Sequence, residues 1–125
     1  MKTKGKLVAR IFLGLFMTVF GLNGFLNFIP MGEMPEPLGN FMGAMMETGY
    51  FFPMVKGLEI FAGVLLIFGK YVRVALTILA PIMLNALLAH LFLAPAGLGG
   101  ALLASSLIIY LTYKEWDGFK ELVKQ

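Results

Sequence analysis

The sequence predicts an all-α protein, an integral membrane four-helix bundle, and three observations lead there. First, 59% of its 125 residues are hydrophobic and 14% are charged, which is more apolar surface than a soluble domain of this size can hide. Second, four apolar stretches, at about 7–29, 53–69, 71–93 and 98–113, have or approach the length at which a helix rising ~1.5 Å per residue crosses a hydrocarbon core. Third, the basic residues cluster at alternate span ends: Lys2, Lys4, Lys6 and Arg10, then Lys70 and Arg73, then Lys114, Lys120 and Lys124. By the positive-inside rule both termini and the middle turn are cytoplasmic, and the other two connectors lie outside.

Composition also excludes several functions. The chain has no cysteine and one histidine, so it has no thiol chemistry, and one chain offers no multi-histidine metal or haem site; no metal is expected. The net charge of +3 sits at span ends, where topology needs it, so nucleic acid is not an expected partner. The expected partner is the lipid bilayer.

Each element follows from local signals. The first span starts behind a basic segment, as a signal peptide would, but it is too long and lacks a small-residue cleavage site; an uncleaved anchor is expected. Pro30 ends it. The outer connector, 30–52, holds Glu33, Glu36 and Glu47 and no Lys or Arg. Within it Pro37 is placed to open a short helix and Gly49 to follow its end, with Leu38, Phe41, Met42 and Met45 on one face. Such a face marks packing before it marks a ligand site.

Pro53 opens the second span, which carries Lys56 and Glu59. In the third, Pro81 removes the donor that the carbonyl of Thr77 would use, so a kink is expected. Pro95 and Gly97 form the next turn. The fourth span ends among Tyr110, Tyr113 and Trp116, where an aromatic belt would lie, and a short amphiphilic tail follows. One domain covers the whole chain, with neither repeat nor linker. Gly14 with Gly21, and Gly100 with Ala104, draw smooth lines suited to close helix approach. No strand precedes any glycine-rich stretch, so none reads as a phosphate loop.

Counted along the spans, the polar side chains gather in the outer half: Asn23 and Asn27 in the first span, Lys56 and Glu59 in the second, Asn85 and His90 in the third, Ser105 and Ser106 in the fourth. The inner half holds little beyond Thr18, Thr77 and Thr112. Ionisable residues within a span are expensive and by default mark function. The pattern predicts a polar pocket on the outer side, with Glu59 as its acid/base or hydrogen-bonding centre and His90 exchanging protons with it. Asn23, Asn27, Lys56, Asn85 and Ser105 would orient a ligand. The plain alternative is interhelical glue, with the long stem of Lys56 reaching for the interface.

Arg10, the Gly14…Gly21-x-Asn23-Gly24 line, the Gly49-Tyr-Phe-Phe-Pro53 approach, and above all Glu59-x-x-x-Gly63-Val-Leu-Leu-Ile-Phe-Gly69 followed by Arg73 resemble the DoxX family of small four-span bacterial membrane proteins, over about 7–113. The resemblance implies a transmembrane four-helix bundle in the bacterial inner membrane. Some relatives are associated with thiosulfate:quinone oxidoreductase activity, others with membrane oxidoreductase complexes that handle oxidative stress. It also implies Glu59 as a site residue. The expected function is binding of a quinone-like or lipid-like ligand as an accessory to membrane redox metabolism, at most as a subunit of an oxidoreductase. With no cysteine, electrons would be carried by quinone or by redox partner subunits. The alternatives are a ligand-free assembly subunit and a small transporter module. The latter would need a homo-oligomer and a polar track reaching both faces, and the inner half supplies almost none.

Overall fold

The computed structural model describes residues 2–26, 34–95 and 98–123. They form six helices: α1 (Lys2–Leu26), α2 (Glu36–Glu47), α3 (Phe51–Phe68), α4 (Val72–Leu93), α5 (Leu98–Lys114) and α6 (Trp116–Val123). No strand occurs among the described residues. α1, α3, α4 and α5 make an antiparallel helical bundle in which α1 packs chiefly on α3, α4 lies between α3 and α5, and α5 closes against α1. The core is apolar, built on Leu13, Met17, Ala62, Leu66, Leu76, Leu79, Ala104 and Leu111. Outside it the helices present leucine, phenylalanine and valine in quantity, the surface of a protein solvated by lipid. Among the described residues three helices are long and apolar enough to cross a membrane; α5, with 17 residues, is a shorter apolar helix.

The closest approach is between α1 and α3, and glycine makes it. A β-carbon on Gly63 would lie 2.8 Å from the carbonyl oxygen of Gly14 and 2.9 Å from the amide nitrogen of Thr18, and one on Gly14 would lie 2.8 Å from the carbonyl oxygen of Gly63. Further along the same seam Gly21 faces Ile60, and Gly24 faces the stem of Lys56. The expected pairing of Gly14 with Gly21 is therefore part of a longer seam that also takes in Gly63 and Gly24.

Turn chemistry sets the helix ends. α3 stops at Gly69, whose φ of 71° only glycine adopts without strain, and the amide of Lys70 bonds back to the carbonyl of Leu65 at 3.1 Å, a Schellman closure. The guanidinium of Arg10 lies against Gly69, a cation at the negative end of the α3 dipole. At the other end, the hydroxyl of Thr48 donates to the carbonyl of Met45 (2.8 Å) and accepts from the amide of Phe51 (3.0 Å), while Gly49 turns the chain with φ 80°. One side chain thus closes α2 and opens α3.

The expected connector helix is α2, with Pro37 in its first turn and Leu38 buried against α3 and α4. α4 runs unbroken from Val72 to Leu93 with Pro81 inside it; one missing hydrogen bond does not interrupt a helix of 22 residues. α6 goes beyond the amphiphilic tail read from the sequence. Its Phe119 packs against the core, while Asp117, Lys120 and Glu121 stay exposed.

The basic end of the bundle is tied by a residue that the sequence did not single out. Glu115, between α5 and α6, has a side chain only 11% exposed and pairs with both Lys6 on α1 and Arg73 on α4, the latter through Nε at 3.0 Å. Burial raises its pKa, but the two cations outweigh burial and hold its carboxyl below the ordinary 4.5. A carboxyl whose folded pKa is depressed stabilises the fold above its unfolded value and loses that contribution as pH falls through the folded one. Acidification from pH 6 to below 4 is therefore expected to release α6. Trp116, the sole tryptophan, reports it as a shift in emission. Glu115→Gln should show the released emission already at pH 7 and flatten the titration; an unchanged titration in that variant would remove Glu115 as its cause.

Candidate functional site

The site is built from helix faces that turn inward near the end of the bundle opposite the basic residues. On α3, Glu59 shares the buried face of Ala62 and Leu66. Its residue exposure is 4%, and the side chain reaches 6%. One turn earlier, Lys56 donates from Nζ to Oε1 of Glu59 at 3.3 Å. Its stem crosses Gly24 of α1, and the ammonium stands 5.6 Å from the ring centroid of Phe52, close enough for cation–π attraction. The missing side chain at Gly24 is what lets the lysine stem lie along α1. In low dielectric each charge alone would cost several kcal/mol, so the two are kept as a pair.

The other helices add one polar group each in the same half of the bundle. Measured along each helix from the end away from the basic residues, at ~1.5 Å per residue, Asn23 lies roughly 5 Å in, Glu59 roughly 12 Å, His90 roughly 5 Å and Ser105 roughly 10 Å. Asn23 is 4% exposed and engaged in an interaction of its own. His90 is half-buried and on the inward face of α4, in register with Met83 and Ala86. Its Nδ1 bonds to the carbonyl oxygen of Ala86 at 2.8 Å, so in the neutral ring Nδ1 carries the proton and Nε2 keeps a lone pair. The Oγ of Ser105 is buried and has no hydrogen-bond partner.

Against the sequence expectations, the structure brings Lys56 and Glu59 into direct contact and turns Asn23 and His90 inward. No hydrogen bond or ion pair joins His90 to Glu59. Asn85 is exposed on α4, away from the inward face that carries Leu79, Met83 and His90. Asn27 lies outside the described residues. Sequence reading missed Thr18 as part of this neighbourhood. Its Oγ1 is buried without a partner and packs on Gly63; the signal for it would have been a hydroxyl one helical turn from Gly14 on the glycine seam. Among the described residues no three His, Asp or Glu side chains gather as a metal site would need.

Two open clefts lie elsewhere, both at the basic end. One, of about 410 Å³, is lined by Gly69, Tyr71, Arg73 and Glu115. The other, of about 360 Å³, runs between α4 and α6 beside Thr77, Ile78, Phe119 and Leu122. Neither is lined by Glu59, His90 or Ser105.

In the comparison with protein families, the model described as DoxX matches residues 5–94. That range contains Asn23, Lys56, Glu59, Asn85 and His90 and stops short of Ser105. Comparison with curated proteins and with solved structures gives no match.

Proposed function

The chain belongs to the DoxX family, and from that premise we propose that it binds the polar head of a quinone-like or lipid-like amphiphile among Glu59, Lys56, His90 and Ser105, as an accessory to membrane redox metabolism. The observation that carries this reading is Ser105: a buried hydroxyl without a partner, at roughly the depth of the Lys56–Glu59 pair. A buried donor left unmade costs free energy, roughly 1–3 kcal/mol, which an acceptor on a ligand would return. Quinone carbonyls are acceptors, and the donors here suit them: the Ser105 hydroxyl and the Lys56 ammonium. Glu59 and the Nε2 of His90 are the groups able to take a proton. A quinone, when bound, would supply two-electron redox chemistry that no side chain of this protein offers; the protein's own part is to orient the head group and hold protons beside it.

In the same reading the protein is a multi-pass protein of the bacterial inner membrane with the basic end in the cytoplasm. The ligand therefore enters from the outer half of the bilayer, and redox partner subunits exchange electrons with it. The main alternative is an assembly subunit without ligand, and the closed Lys56–Glu59 pair favours it, since a satisfied pair needs nothing further.

Thermal unfolding in detergent separates the two. A short-chain quinone analogue at about 100 times its Kd is expected to stabilise the protein by ~2.7 kcal/mol. Ser105→Ala should leave the ligand-free melting temperature within a degree or two yet weaken binding about tenfold. A melting temperature indifferent to quinones and to other amphiphiles at every concentration tested would favour the assembly subunit.

A further inference from the structure

α4 shows the bundle a face of Ala75, Leu76, Leu79 and Met83, all buried. Its opposite face is Val74, Thr77, Pro81, Leu84, Asn85, Leu88 and Phe92, all exposed. Six of these are apolar or internally satisfied: the hydroxyl of Thr77 donates to the carbonyl of Arg73 at 2.8 Å. Asn85 is the exception. It forms no hydrogen bond with any described residue, and it stands about 12 Å from the Leu93 end of the helix, too deep for its short side chain to reach water. A carboxamide has two donors and an acceptor with two lone pairs, and hydrocarbon satisfies none of them. Ser106 is exposed at similar depth on α5, but it lies on another helix and has a single donor; a carboxamide that turned back on its own helix would still leave part of its bonding capacity unmet. The same α4 face also carries the Thr77 carbonyl that Pro81 deprives of its donor.

We propose that this face of α4 is the interface between two copies of the chain, paired about a two-fold axis along the membrane normal, with the Asn85 carboxamides bonded to each other at its centre. Two features choose a second copy as the occupant. A carboxamide is self-complementary, since the donor of one fits the acceptor of the other, so the same patch serves on both subunits, as a two-fold interface requires. Copies inserted in one orientation also put Asn85 at the same depth automatically, which an unrelated helix has no reason to do. Interhelical hydrogen bonds of this kind are the usual glue of membrane helices. Leu84 and Leu88, one turn apart, flank the pair and supply the packing; they are 58% and 44% exposed in the single chain.

The absence of native cysteine makes the test direct. In the full-length chain, Leu88→Cys in native membranes is expected to give a disulfide-linked dimer under mild oxidation, while Ile109→Cys, exposed on α5, gives none. Adding Asn85→Leu to Leu88→Cys should lower the dimer yield at limiting protein density about tenfold, because two mutual hydrogen bonds are lost. Light scattering of the wild type in mild detergent should give twice the chain mass, and Asn85→Leu the single mass. A monomeric wild type, a cross-link that survives Asn85→Leu undiminished, or a Leu88→Cys product joined to a different protein would each overturn the proposal.

Discussion

Gly63→Ala is expected to destabilise the bundle by roughly 3 kcal/mol, the upper range for forcing extra volume into a packed core. The reason is what the new methyl group meets. It would stand 2.8 Å from the carbonyl oxygen of Gly14 and 2.9 Å from the amide nitrogen of Thr18. The Thr18 hydroxyl lies nearer still and can rotate aside, but these two are backbone atoms held by the α1 ladder, so the two helices themselves must part. Parting them also pulls Gly21 from Ile60 and Gly24 from Lys56, the other contacts of the same seam. The control lies on the same helix: Gly57 has nothing within 4 Å of the position a β-carbon would take, and Gly57→Ala should gain up to ~1 kcal/mol from helix propensity alone. Reversible unfolding in detergent, followed by far-ultraviolet circular dichroism, gives both values. Equal effects at the two positions would mean that the seam is not a close backbone contact.

Lys56→Met carries the second large effect. It leaves Glu59 with its side chain 6% exposed and its cation gone, and removing one partner of a buried pair costs about 3–5 kcal/mol. Lys56 is itself 21% exposed, so part of the pair's attraction is already screened, and roughly 2–3 kcal/mol is the expected loss. Lys56→Met/Glu59→Met should recover most of it, since two apolar side chains of similar size can replace an ion pair at little cost. The coupling in this double-mutant cycle measures the pair. A single variant that melts like the wild type would show that the charges are solvated and that Glu59 is no buried centre.

The glycine seam shows how far sequence reading reaches. Gly14 and Gly21 were legible as a smooth line because a seven-residue spacing keeps one face of a helix. That Gly63 lies against Gly14 was not, since nothing in one helix states the register of another. The polar site divides in the same way. Lys56 and Glu59, three residues apart on one helix, are close enough by spacing alone to touch, and in the structure they do. His90 and Glu59 share the outer half of the spans, but that says nothing of distance across the bundle, and no bond joins them. Asn85 also had the depth of a ligand-orienting residue, yet the rotation of α4 puts it on the outside. Glu115 is 109 positions from Lys6 and 42 from Arg73, so no spacing rule could have coupled them.

By itself the sequence determined the membrane solvent, the four long helices, the short connector helix and the family, because hydropathy, proline, glycine and charge act locally and each leaves its mark within a turn or two of chain. Only the tertiary structure decided which faces meet: the backbone contact at Gly63, the clasp at Glu115, the unpartnered hydroxyl of Ser105 and the outward turn of Asn85. Those depend on how each helix is rotated about its axis, and that rotation is chosen by the packing of all the helices together.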